Sequence, residues 1–570
     1  MICTLNISGL SVEITMTIYI FQLNSLIKLT VFVKTMRRYM ATREIIMKIA
    51  KKTNVKSKKV NETGPVISIR KDINENISRL ENDFGHDSDL VVHYFKFDNN
   101  RGLICANIYI KSLVDRSTIN SLSIELGKLK SECRNEKPGI NIDALMSYFS
   151  GLRDAKEGFD YEALYTDLLS GNIVFLIDGC KKYLAVAANS DEGRSIEESS
   201  AQTVVRGPKD GFTEKINTNI LLIRKRIKSK DLKVEYLSAG SITKTTISLV
   251  YIHKIAKDEI VQEIRTRLGK IEIDGILESG YIEELIKDDR YSIFPTFLSS
   301  EKPDTVAAAL LEGRVAILVD GTPYVLTAPA LMIEFLQSSE DYYHHYIVSS
   351  MLRFLRVIAF LLTLLVPAIY VAVTTFHHEI IPTPLLVSIA AQREGVPFPA
   401  LLEALMMEIT FEILREAGIR MPRAIGPAIS IVGALVLGQA AVEAGIISAA
   451  VVIVVSITAI SSFAIRNYEM SNAIRLLKFI FILLAGVLGL YGVLMGLIVL
   501  VLHLCKIKSI TVPYLTPIAP KIKGGNKDTI FRFPLWKMKY RPIGISGTDA
   551  ARAGGGNPVN SSQKEKPEFR

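Results

Sequence analysis

Hydrophobic positions along the chain follow two rhythms. Up to about residue 350 they fall in short alternating stretches parted by polar turns, the period-two pattern of half-buried strands. From Phe354 onward they fall in long runs of membrane-grade apolarity. The first rhythm is itself repeated. LLSGNIVFLIDG from Leu168 matches LLEGRVAILVDG from Leu310, and DLVVHYF from Asp89 matches DLKVEYL from Asp231, both pairs 142 residues apart. YIK at Tyr109 and YIH at Tyr251 keep the same interval, and INENI at Ile73 meets INTNI at Ile216 at 143. A shared order at one spacing marks an internal duplication.

Each copy predicts an alternating strand (VVHYF, KVEYL), a second strand (CANIYI, TISLVYI), a polar helix, and a buried-type strand ending in Asp-Gly. Asp-Gly between apolar runs is a hairpin signal, so Asp178 and Asp320 read as turn residues rather than catalytic ones. The expected fold class is a duplicated α/β cytoplasmic region followed by an all-α polytopic membrane domain. Its two similar subdomains are placed at 66–200 and 201–350, the membrane domain at 351–508, and a basic cytoplasmic tail with a disordered end at 509–570. RGPKDGF (206–212) reads as an ordered linker or subunit contact, since it lacks the layout that cradles nucleotide phosphates. Residues 1–65 are an atypical extension with alternative starts at Met36, Met40 and Met47, and no function is assigned to them.

Four apolar runs mark the second half: Phe354–Phe376, Ala424–Val442, Ile446–Ile465 and Leu476–Leu504. The last is long for one crossing, and its Gly486, Gly489, Gly492 and Gly496 allow a hairpin near 489–492, so the count of crossings lies between four and six. The run at 424–442 is rich in small residues, including Gly433 and Gly438, which let membrane helices approach closely. Gln439 and Glu443 end it, either lining a polar path or marking its aqueous end.

Between the first two runs lies a helix, roughly 399–417, that carries glutamates on an apolar background. At helical spacing Glu408, Glu412 and Glu416 fall within about 80° of one another, while Glu403 lies about 140° from Glu408. Interfacial helices usually carry lysine and arginine, so this acidic stripe is expected to face protein or a pore. Repeated around an oligomer it would form carboxylate rings that favour cations. Arg415, three residues after Glu412, is a local partner for part of this charge.

Charge adds orientation. The net charge is +10, and Lys506, Lys508, Lys521, Lys523, Lys527, Arg532, Lys537, Lys539 and Arg541 crowd beside and after the last apolar run. Basic residues flanking membrane runs mark the cytoplasmic side, which favours an even number of crossings and argues against a nucleic-acid partner. Arg353 and Arg356 place the N-terminal region on that same side. Five scattered cysteines form no C-x-x-C pair, and the adjacent histidines 344–345 and 377–378 lack further ligands at useful spacing. No H-E-x-x-H, G-x-S-x-G or P-loop occurs, so no enzyme activity, metal or cofactor is expected.

Several long motifs carry a family resemblance: PTFLSSEKPDTVAAALLEGRVAILVDGTPYVLTAPA, SSEDYY, the FHHEIIPTPLLVSIAAQREGVPFPALLEALMMEITFEILREAGIRMP stretch, and IGPAISIVGALVLGQAAVEAGIISAAVVIVVSITAISSF. Over about residues 66–543 the chain resembles the A subunits of the GerA family of spore germinant receptors. The tail KDTIFRFPLWKMKYRP is more similar to those A subunits than to the related stage V sporulation membrane protein, the alternative within the family. One departure is Arg466, where the family commonly has proline, which leaves the end of the preceding helix open. The resemblance implies a multi-pass protein of the spore inner membrane. It also implies a transporter-like B subunit and a lipoprotein C subunit as partners, and a homo-oligomeric ring that conducts ions when nutrient is sensed. The germinant pocket is expected in the B subunit. A non-conducting scaffold and a secondary transporter are the rival readings. The second would require inverted repeats in the membrane half.

Overall fold

The structure, a computed structural model, describes residues 67–420 and 438–552, apart from 86, 97–103, 133–153, 189–197, 200, 201, 203, 523, 524, 543 and 550. Gly433, most of the small-residue run and the N-terminal extension lie outside the described residues.

The duplication is visible in three dimensions. The first subdomain holds β1 (Leu90–Lys96), β2 (Ile104–Ile110), β3 (Ala155–Gly158), β4 (Asn172–Ile177) and β5 (Tyr183–Ala187), with helices α1 (Ile73–Phe84), α2 (Arg116–Glu132) and α3 (Tyr161–Leu169). Its antiparallel sheet has the order β1-β2-β4-β5-β3. The second holds β6 (Leu232–Ala239), β7 (Thr245–Ile252), β8 (Leu298–Ser300), β9 (Val315–Val319) and β10 (Val325–Ala328), ordered β6-β7-β9-β10-β8. Helices α4 (Ile216–Arg226), α5 (Asp258–Gly269) and α7 (Pro303–Leu311) match those of the first copy, and α6 (Ser279–Ile286) joins them.

The Asp-Gly turns do more than reverse the chain. Gly179 and Gly321 adopt positive φ, as the turn requires. Their N–H groups donate to Lys71 O and Glu214 O, each at 2.8 Å. Asp178 and Asp320 then accept from the first backbone N–H of α1 and α4, at Ile73 (3.3 Å) and Ile216 (3.1 Å). Those N–H groups would otherwise lack a partner. Asn76 and Asn219 close the same loops by bonding back to Arg70 and Thr213. The two subdomains meet across a buried triad. Arg224 of α4 donates to Asp87 at 2.8 Å and to Asp89 at 2.9 Å.

Among the described residues the α-helices that follow include α8 (Tyr346–Thr375), α9 (Thr383–Arg393), α10 (Ala400–Arg420), α11 (Ala449–Phe463) and α12 (Tyr468–Lys506). Two of them, α8 and α12, are long and apolar enough to cross a bilayer. The second is not straight. Gly489 takes φ 63° and ψ −146°, a backbone region essentially closed to other residues. A Cβ on Gly496 would lie 3.0 Å from both Phe481 and Leu484, although 15 residues of straight helix would separate 481 from 496 by about 22 Å. The helix therefore doubles back into arms 468–488 and 490–506, and its turn rests on Phe376 and His377 at the end of α8. The second arm returns to the α/β domain, where His503 lies 3.2 Å from the Ser292 hydroxyl. Leu401 of α10 packs on Gly486 near the turn, while Ile419 at the other end of α10 lines a cavity together with residues of the second subdomain. The α8–α12 core is Phe360, Leu364, Ala368 and Val371 against Phe481, Ile482, Ala485 and Val493.

The basic tail is largely built into the domain. Ile510, Val512 and Ile545 join the core of the second subdomain. Gly547 N donates to Ile255 O at 2.6 Å, and Arg552 pairs with Glu312 at 2.8 Å.

Gly489→Ala is expected to destabilise the bundle by about 1–3 kcal/mol from backbone strain alone. Its Cβ would also come within 2.8 Å of His377. Thermal unfolding in detergent should show a lowered midpoint, whereas Gly395→Ala, which meets nothing within 4 Å, should not.

Candidate functional site

Helix α10 places its carboxylates on two faces. Glu408 is 0% exposed, and its Oε2 lies 2.5 Å from Lys478 Nζ of α12. Glu412 lies 3.4 Å from the same Lys478 and also pairs with Arg475. Arg415 lies 3.5 Å from the Ser471 hydroxyl and is held 5.7 Å above the Phe463 ring. The three contacts step down antiparallel helices as a buried charge seam. Glu412 is thus neutralised mainly across the helix interface by Arg475 and Lys478, with Arg415 three residues on as a lesser contributor. Arg475 and Lys478 were not singled out from sequence. Their signal was two cations three residues apart at the start of an apolar run, NAIRLLKFIF.

Glu403, off the stripe by helical projection, is also 0% exposed. It turns toward α11, where it accepts from the backbone N–H of Ser448, the residue that caps that helix, with Arg393 3.7 Å away. Glu416 lies outside the seam, exposed and paired with Arg420 at 2.7 Å. Gln439 and Glu443 are exposed and bond to each other at 2.9 Å. Gly438 contacts Val452, where an added Cβ would sit 3.5 Å from that side chain.

Past Arg415 the seam opens into a cavity of about 1030 Å³ between the second subdomain and the bundle. Its wall includes Glu278, Glu283, Tyr324, Arg415, Arg466 and Glu469. Burial pushes the Glu283 carboxyl above its ordinary range, against the pull of Lys287.

A second cluster joins bundle, domain and tail. Asp341, in SSEDYY, accepts both Arg356 nitrogens (2.7 and 2.8 Å) and Arg353 (2.9 Å). Arg353 also reaches Asp528 of the tail at 2.7 Å, and Tyr342 donates to that same carboxylate at 2.6 Å. Arg532 of the tail donates to the Asp341 carbonyl at 2.7 Å. The two arginines read from sequence as a membrane-flanking charge are therefore buried and neutralised. Arg466 pairs with Glu340 and bonds Ser338 at 2.7 Å, and α11 ends before it, at Phe463. Glu340 also accepts from the Val205 N–H at 2.6 Å, beside the RGPKDGF loop.

These features define a class: a duplicated α/β domain clamped to an apolar helical bundle whose interior carries ion pairs. The model of the family described as Bacillus/Clostridium GerA spore germination protein matches residues 78–543. Spore germination protein KA of Bacillus subtilis (strain 168) is 47% identical over 480 residues, covering 84% of this chain and 88% of its own. The uncharacterized membrane protein YfkQ of the same organism is 41% identical over 515 residues, 90% of this chain and 97% of its own. The crystal structure of the N-terminal domain of the A subunit of the Bacillus megaterium spore germinant receptor GerK3 aligns with 36% identity and a TM-score of 0.38, covering 47% of this chain and 99% of that one. The chain belongs to the GerA family of spore germination proteins.

The Asp341 cluster has a pH signature. Burial alone would raise this carboxyl, but Arg356 and Arg353 outweigh it and hold it below the usual aspartate range. Its folded value is depressed, so its stabilising contribution is complete above the unfolded value of about 3.9 and is lost as pH falls through the folded one. Asp341→Asn should remove that acid-dependent part. It should also cost about 3–5 kcal/mol at neutral pH by leaving buried guanidiniums short of a partner. Thermal unfolding at pH 7 and near pH 3 measures both effects.

Proposed function

We propose that this chain is the A subunit of a nutrient germinant receptor of the spore inner membrane, and that it assembles with copies of itself into a nutrient-gated ion channel that starts germination. Membership of the GerA family and likeness to proteins named for spore germination support the receptor role. A transporter-like B subunit and a lipoprotein C subunit are the proposed partners.

The membrane reading draws on exposed apolar side chains along α8 (Leu361, Ile369) and α12 (Leu476, Leu483, Val487, Val501). Past Arg356, α8 continues for 19 residues, about 29 Å, close to a hydrocarbon core of ~30 Å. In this reading α8, α10, α11 and both arms of α12 cross. Counting also the apolar run at 424–442 expected from the sequence, most of it outside the described residues, gives six crossings. The N-terminal region and tail then share the cytoplasmic side.

The single observation that carries the channel reading is the charge seam. Ionisable residues inside an apolar bundle mark ion or proton pathways far more often than they serve stability. Here the carboxylates are neutralised within one chain, so conduction requires the α10–α12 pairs to part. The same pairing favours a second reading, a non-conducting scaffold whose seam merely locks two helices.

Reconstitution with the partner subunits separates them. Glu412→Gln keeps Glu408 on Lys478 and releases Arg475, so nutrient-triggered flux of monovalent cations should change several-fold while the complex stays assembled. Unaltered flux and selectivity would sink the channel role of the seam.

A further inference from the structure

The tail segment 531–540, FRFPLWKMKY, has an alternating exposure that its fold contacts do not use. Arg532 and Pro534 are buried, while Phe531, Phe533, Leu535 and Trp536 are exposed, Trp536 by 69%. The segment is not loosely attached. Arg532 N and O both bond the Ser350 hydroxyl of α8 at 3.0 Å, and the Arg532 guanidinium donates to the Asp341 and His344 carbonyls. The chain is therefore held against the start of α8 with four large apolar side chains facing outward.

Their depth is graded. Phe531 stacks on Phe354, ring centroids 6.2 Å apart, where the apolar run of α8 begins. Trp536 meets Tyr346 edge-on at 5.9 Å, eight helical residues, or about 12 Å, nearer the domain. Phenylalanine thus sits at the level of the apolar run and tryptophan at the level expected for headgroups, the usual order at a bilayer boundary. The exposed Ile347, Met351, Phe354 and Leu355 of α8 continue the same surface into the membrane-facing side of the helix. Lys527, Lys537 and Lys539 are exposed around it, and Asp528, the one carboxylate between residues 527 and 541, is already bound to Arg353 and Tyr342.

We propose that residues 531–540 form an interfacial anchor on an anionic lipid surface. Phe531, Phe533, Leu535 and Trp536 enter the acyl boundary, and Lys537 and Lys539 meet lipid phosphates. The anchor would fix the height of the Asp341 cluster relative to the bilayer. This rests on the reading that α8 crosses a membrane.

Trp536 is the only tryptophan in the chain, so its fluorescence reports this segment alone. The full-length protein is reconstituted into phosphatidylcholine vesicles with and without phosphatidylglycerol, using acyl chains brominated at shallow or deep positions. The expected result is blue-shifted emission, quenched most by shallow bromines and shielded from aqueous iodide. Phosphatidylglycerol should enhance the effect, and Lys537→Gln with Lys539→Gln should remove that enhancement. Iodide quenching without bromine quenching, in protein that floats with vesicles and resists carbonate extraction, overturns the anchor and leaves the membrane reading standing. Insensitivity to both quenchers also overturns it, because a second copy of the chain would then cover the surface. Protein that fails to float overturns the membrane reading and the anchor together.

Discussion

One carboxylate fastens the molecule. Asp341 sits where the α/β domain ends and α8 begins, and it receives Arg353 and Arg356 from the first turns of that helix. Arg353 passes the contact on to Asp528 in the tail, and the tail's Arg532 returns to the Asp341 carbonyl. The end of the domain, the start of α8 and the sequence-distant tail are thereby held at one point. Charges this deeply buried cost several kcal/mol each to desolvate, so the cluster is stable only while every member keeps its partners. Glu340, one residue earlier, adds Arg466 from the loop before α12 and the backbone at Val205. The helical bundle therefore cannot shift against the domain without disturbing this hub.

The seam between α10 and α12 obeys the same rule inside the bundle. Glu408, Glu412, Arg475 and Lys478 pair with one another inside the bundle. Glu403 uses a different device, a helix N-terminus, in which the N–H of the cap residue, which the helix itself leaves without a partner, donates to the carboxylate. An acidic helix thus bridges two neighbours, binding α11 at its far end and α12 along its middle. The cavity lies at the domain end of the seam, and its wall mixes carboxylates of the domain with Arg415 and Glu469 of the bundle.

The α/β half was legible in the sequence because its signals are local. Alternation, Asp-Gly and a constant interval named four of the five strands in each copy and the repeat, but not the short edge strands β3 and β8, and the sheets follow the same order in both copies. Gly489 was legible for a similar reason, since a glycine-rich stretch in an over-long run offered a place to turn. The partners were not. Nothing in the spacing of Glu408 and Glu412 points to residues 63 to 70 positions later, because register between helices depends on three-dimensional packing and not on periodicity. Helical projection removed Glu403 correctly from the stripe, yet it could not show that the opposite face is also buried. Arg353 and Arg356 read as flanking charges because a sequence shows their sign but not the acid that meets them.

The central claim is that the α10 carboxylates are seated on α12 cations of the same chain. Charge reversal tests it most directly, by comparing Glu408→Lys, Lys478→Glu and the double variant for folded protein retained in membranes. Each single change should place two like charges in a buried site and strip the protein from the membrane fraction, while the double change should restore it to a large share of the parent level. A double variant no better than the worse single one, or a well-tolerated Glu408→Lys, would contradict the account.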